Sequence, residues 1–266
     1  MERRPSHGPG TLRGGEHESR TLLRRVTGVV ARDAEAWGLT SGQAVWLAVI
    51  PLAATVLLTA AAPFPRLFIW LIDEDMLVES VQVVLLAITL VLCGRLSARL
   101  IATERRTLGL LYGLLALATF FVIGEEISWG QRLFGLRTPI ALEAINAQGE
   151  ITIHNIYGFH RPTTYAVMLA GMYGAVIPLI RLALPAGRRH SVLSDLLIPP
   201  LCLVPSFVVP AGYRLCRFML KPELYVIPGY RVFVITEFSE LGELCLYFGL
   251  AVFVWLNLRR LQPHQR

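Results

Sequence analysis

Two adjacent glutamates end an apolar run. In 124-GEEISWGQR-132, Glu125 and Glu126 follow LLYGLLALATFFVIG, a stretch long and apolar enough to cross a membrane. Carboxylates at such a position can pair with a cation, hold a metal or move a proton. Neighbouring helical residues point about 100° apart, so the two cannot share one task. Arg132 lies seven residues after Glu125, on the same face if the helix continues. The reading is therefore that one carboxylate pairs with Arg132 and the other faces a helix bundle.

A second acidic set stands in 236-TEFSELGELCLY-247. Glu240, Glu243 and Tyr247 recur at i, i+3 and i+7, which is one helical face, and Glu237 lies beside it. Stacked carboxylates repel, so protons, arginines or a cation must stand between them. A third set stands in 146-NAQGEITIHNIYGFHRP-162. Glu150 and His154 share a face there as a helix, and share one equally if the β-branched ITI holds the chain extended. Asn155 is a candidate to orient or cap, and His160 is the other histidine of this segment.

Depth follows from run length. Glu79 and Glu243 are each followed by 15 uncharged residues before an arginine. Fifteen residues of helix cover about 22 Å, short of a hydrocarbon core of about 30 Å. Both helices are thus expected to extend outward past their glutamates, with Glu79, Glu240 and Glu243 at membrane depth. An ionised acid there costs roughly 3 kcal/mol or more unless it faces a cavity, a partner or a metal. The candidate catalytic residues are Glu125, Glu126, His154 and Arg132. The candidate ligands for a divalent metal such as zinc are Glu126, His154, Glu240 and Glu243. Glu79, Glu150, Glu237, Asn155 and Tyr247 complete the set.

These residues need a scaffold, and composition says which kind. The chain of 266 residues is 54% hydrophobic and 17% charged, well under the roughly 25% charged of a soluble domain. The fold class is all-α, a polytopic membrane protein of about six transmembrane helices. The spans are read at roughly 43–62, 76–95, 107–126, 162–182, 194–212 and 235–258. Pro199, Pro200, Pro205 and Pro210 predict a kinked or broken fifth span. The stretch FPRLFIWLI is too short to span and reads as an interfacial or re-entrant piece.

Most of the 25 basic residues fall in the N-terminal tail, the second and fourth loops and the C-terminal tail. The positive-inside rule then puts both termini in the cytoplasm, and the expected location is a cell membrane, a prokaryotic inner membrane. Arg214, Arg217 and Lys221 are the exception, in the last external loop. Residues 1–18 read as a disordered basic tail, 19–42 as an amphipathic helix on the inner surface, 43–260 as the membrane domain and 261–266 as a second tail. The external loop 127–161 carries Trp129, read as an aromatic-belt anchor. Four scattered cysteines give no disulfide or zinc-finger spacing. No internal repeat supports an inverted-repeat transporter.

GEEISWGQR, with EDMLVES before it and QGEITIHN after it, resembles a family of uncharacterised prokaryotic multi-span membrane proteins, over roughly residues 70–160. The resemblance implies membership and a polytopic fold, and it supplies no activity. The glutamate pair is also similar to that of the CAAX-type intramembrane proteases, an analogy in mechanism. Their arginine follows three residues on, whereas here five residues separate Glu126 from Arg132, and the histidine spacing differs. Ceramidase-like seven-span zinc hydrolases, with three histidines, match less well.

The function expected is a metal-dependent intramembrane hydrolase or transferase with an outer-leaflet Glu/His cluster. Its substrate would be a lipid, a lipid-linked molecule or a membrane peptide. The alternatives are a non-enzymatic scaffold or accessory subunit, and an ion- or proton-coupled transporter. The lipid bilayer is the expected partner. The +6 charge is accounted for by loop arginines and gives no reason to expect nucleic acid.

Overall fold

A computed structural model describes residues 27–73, 76–146, 149–153, 155–158, 160–185, 189–224 and 229–261, with the backbone alone at 132, 133, 160, 161 and 220–224. The expected tails 1–18 and 262–266, and the start of the segment read as an inner-surface helix, lie outside the described residues. Among the described residues the α-helices in chain order are α1 (27–36), α2 (Ser41–Ala61), α3 (Pro65–Ile72), α4 (Leu77–Ala102), α5 (Arg106–Glu126), α6 (Gln131–Phe134), α7 (Ile140–Glu143), α8 (His160–Arg181), α9 (Val192–Leu197), α10 (Val204–Leu224) and α11 (Tyr230–Arg260). Among the described residues the one β contact is an isolated antiparallel bridge between Asn146 and Ile156.

The chain is an all-α polytopic protein with six helices long and apolar enough to cross a membrane. Their surfaces explain why water is the wrong solvent. Val56, Leu57, Leu110, Leu114 and Leu117 stand more than 60% exposed, an apolar band that lipid covers without cost. α11 is the central helix, with 67% of its most apolar stretch buried against 22% for α2, α5 and α8. α4, α10, α2 and α3 pack around it.

Close packing rests on small residues at the crossings, as in other membrane bundles. A Cβ on Gly174 of α8 would come within 2.3 Å of the Phe207 ring of α10. One on Gly249 of α11 would come within 2.8 Å of Ser206. α4 and α5 form a hairpin in which Ser97 Oγ donates to the Gly109 carbonyl at 2.7 Å.

The fifth span is broken, as its prolines predict. α9 ends at Leu197, residues 198–200 are not helical, and a short turn, Leu201–Leu203, leads into α10. A break frees backbone groups that lipid cannot satisfy, so side chains from other helices must do so. Tyr112 of α5 donates to the Leu196 carbonyl at 2.6 Å and Tyr173 of α8 to that of Leu197 at 2.9 Å. Asp33 of α1 accepts the Leu201 N–H at 2.7 Å.

Asp33 also anchors an ion network at the end of the bundle where residues 27 and 261 both lie. Arg181 bonds Asp33 at 2.9 Å and Asp195 at 3.1 Å. Arg260 bonds Asp195 at 2.9 Å, and His190 Nδ1 lies 3.0 Å from the same carboxylate. The Arg260 guanidinium lies 4.6 Å above the Trp37 ring. The described part of the segment read as a surface helix therefore ends at residue 36, and it turns Asp33 and Ala34 into the protein, followed by the buried Trp37.

Two sequence expectations need correction. Glu79 is in the first turn of α4, so that helix does not extend outward past it; Asp73 and the N-cap Met76 are extended backbone and interrupt the path from α3. Arg214 and Arg217 are not in a loop, because the break delays the start of α10 and carries its helix to Leu224.

Candidate functional site

At the end of the bundle opposite the termini, four helices bring acids together. α11 supplies Glu240, Glu243 and Tyr247 on the one face that their spacing demands. α5 supplies Glu126 at its last residue. α4 supplies Glu79 and Gln82, and α10 supplies Arg214.

One hydroxyl joins the set. Tyr247 Oη lies 3.1 Å from Glu126 Oε1 and 3.4 Å from Glu243 Oε2. A phenol has one proton to donate, so it serves one carboxylate at a time while within reach of both. Glu243 has a guanidinium as well, with Arg214 Nη2 at 2.5 Å. Glu240 takes no arginine among the described residues. Its partner is Gln82, whose Nε2 donates to the Glu240 carbonyl at 2.7 Å and to its carboxylate at 3.2 Å. The charges of Glu79 and Glu125 act on Glu126, and that of Glu237 on Glu240.

Three carboxylates thus share one matched guanidinium among the described residues. Glu126, Glu240 and Glu243 are each half-buried, while Arg214 and Tyr247 are buried. The surplus negative charge faces a poor solvent, so protons or a cation must offset it.

Glu125 has a different task. It is buried, accepting Trp129 Nε1–H and the Ile153 backbone N–H, each at 2.7 Å. The motif folds onto itself to make this bond. Ser128 and Trp129 take left-handed backbone angles, φ 47° and 52°, which side chains rarely adopt without support. The support is the Trp129 ring, which edges onto Phe120 and Phe121 and lies where a Cβ on Gly124 would be, 2.9 Å away. Trp129 is thus a bonded part of the motif, in addition to being 40% exposed where a belt residue would be.

The segment read as external loop 127–161 is folded against Glu125. Gln131 Oε1 accepts the Ile151 N–H at 2.6 Å, and Gln131 Nε2 donates to Thr138 at 2.7 Å. Asn146 Nδ2 donates to the Thr152 carbonyl at 2.8 Å. Glu150 accepts from Ser128 Oγ at 2.9 Å. Asn155 is half-buried in the turn that follows. His154 and the Arg132 side chain lie outside the described residues.

The structure therefore brings Glu126, Glu240, Glu243 and Tyr247 together, with Glu79 and Glu237 at the margin, and turns Glu125 and Glu150 toward the loop. Among the described residues, no group of three His, Cys, Asp or Glu side chains is arranged to hold a metal ion. The glutamates are instead occupied by a hydroxyl, an amide and a guanidinium. Gln82 and Arg214 went unread in the sequence. Gln82 gives a usable signal, an amide inside an apolar run one turn from Glu79; Arg214 gives one only after the helix break is located.

No known protein family, curated protein or solved structure matches the chain.

Proposed function

We propose that this chain is an integral membrane enzyme, a hydrolase or transferase, working on a lipid, a lipid-linked molecule or a membrane peptide. The carrying observation is the Tyr247 hydroxyl held between two carboxylates from different helices, one matched to Arg214 and the other not. Carboxyl groups in unlike environments divide into acid–base roles. Glu243, matched by Arg214, stays anionic and orients the Tyr247 O–H. Glu126, without a cation among the described residues, takes the proton of a water or hydroxyl nucleophile as that oxygen forms its new bond. Glu126 then returns the proton to the leaving atom, an oxygen in an ester or phosphoester and a nitrogen in a peptide. The positive-inside rule puts this end at the outer leaflet.

A transport role is less well supported. Between Tyr247 and Arg259 the central helix carries no ionisable residue, so the acids at one end and the ion network at the other are separated by an apolar stretch.

The test uses purified protein in vesicles of total bacterial lipid, with lipid and water-soluble products read by mass spectrometry. Wild type is expected to release a product that Glu126→Gln and Glu243→Gln do not, with Glu126→Gln as stable as wild type and Glu243→Gln, which strands Arg214, less so. If no product distinguishes wild type from the variants, the enzyme reading fails. Metal analysis of the same samples addresses the metal-dependent form. A stoichiometric divalent ion lost in Glu126→Gln and in His154→Ala would establish it, and activity that survives chelation would exclude it.

A further inference from the structure

Gln82 of α4 is fully buried, and only half of its amide is satisfied. Its Nε2 donates twice to Glu240, which fixes the orientation of the amide. Its Oε1 has no hydrogen-bond partner among the described residues. Buried acceptors are nearly always paired, so this oxygen calls for a donor. The groups around it cannot supply one while ionised. Glu240, which the amide touches, is then an acceptor, and the only guanidinium matched to the cluster among the described residues is already on Glu243. A fitting guest would carry positive charge and several N–H donors.

A second cation stands on α10 at this end of the bundle. Arg217 of α10 lies one turn beyond Arg214, and both guanidiniums approach the Tyr213 ring, at 6.0 and 5.7 Å. Arg217 Nη1 bonds the Tyr213 hydroxyl at 3.0 Å and has no carboxylate partner among the described residues. A guanidinium left in this way binds phosphate well. The acid surplus and an arginine without a carboxylate partner among the described residues thus stand at the same end of the bundle, a charge pattern that suits a zwitterion.

We propose that the site receives the headgroup of an aminophospholipid, with its primary ammonium at Gln82 Oε1 and the Glu240 carboxylate and its phosphate at Arg217. This inference builds on the enzyme reading by naming the substrate class. A primary ammonium has three hydrogens to donate, whereas a quaternary choline has none. The site should therefore prefer ethanolamine to choline lipids, a preference that charge alone would not produce.

The test measures binding of short-chain phosphatidylethanolamine and phosphatidylcholine to the purified full-length protein in detergent by native mass spectrometry, with soluble phosphoethanolamine as competitor. Wild type is expected to bind the ethanolamine lipid about tenfold more tightly, one hydrogen-bond-scale difference. Gln82→Met should abolish that preference while leaving the unfolding temperature close to wild type, and Arg217→Gln should weaken both lipids together. Equal affinity for the two lipids in wild type overturns the proposal, since the orphan oxygen then takes only a water. Competition by phosphoethanolamine at the lipid's own concentration overturns the lipid assignment. Ethanolamine preference retained in a protein without turnover would sink the enzyme reading alone. Turnover without that preference would sink this inference alone.

Discussion

The two ends of the bundle treat charge in opposite ways. At the end bearing the termini, two aspartates meet two arginines and a histidine, and Asp33 spends its second oxygen on the freed Leu201 amide. At the other end, three glutamates meet one matched arginine. A matched buried network holds helices in place and leaves nothing for a ligand to do. A mismatched one is costly at rest and is retained where something binds or a proton moves. The difference separates a matched cluster from a candidate functional one without reference to any relative.

That contrast can be broken by mutation, starting with the largest effect. Arg181→Met removes the buried guanidinium that two aspartates share and should cost about 3–5 kcal/mol in detergent unfolding. A loss under about 1 kcal/mol would mean that the terminal network is not a structural keystone. Asp33→Ala removes the acceptor at the broken fifth span, and a loss of about 2–3 kcal/mol is expected from its charged hydrogen bonds. Urea titrations of the variant should also show an earlier loss of helical signal.

Gly124→Ala pushes a methyl into the Trp129 ring and should cost about 1–2 kcal/mol by overpacking. Tryptophan emission should shift as the ring leaves its bond to Glu125. Unchanged emission would show that the motif does not pack as described. Glu126→Gln is expected to change stability by less than about 0.5 kcal/mol, since it removes a charge that has no cation partner among the described residues. Activity should disappear all the same. If Glu126→Gln destabilised as much as Arg181→Met, the two ends would be alike and the contrast would fall.

Much of the scaffold was legible in the residues. Apolar run lengths placed five helices within a few residues at most ends, and four prolines foretold the broken span. The i, i+3, i+7 stripe of Glu240, Glu243 and Tyr247 was readable because helical periodicity is local. Other features were not. Glu125 looked equivalent to Glu126, because nothing local says that Trp129 and Ile153 come back to claim it. Asp33 looked like part of a surface helix, because its partners Arg181, His190 and Leu201 are about 150 residues away or more. The metal set drawn from glutamates and His154 rested on residue types; its glutamates bond Gln82, Tyr247 and Arg214, and His154 lies outside the described residues.

The sequence by itself determined that the chain is a bundle of six long apolar helices, which of them is broken, and which acids share a face. These depend on hydrophobicity, proline chemistry and helical period, all of them short-range. Tertiary structure alone decided which acids are matched and which are not. Matching depends on distances between helices far apart in sequence, and with them on where Arg181 and Arg214 arrive. That placement makes one charged end a clamp and leaves the other a candidate site.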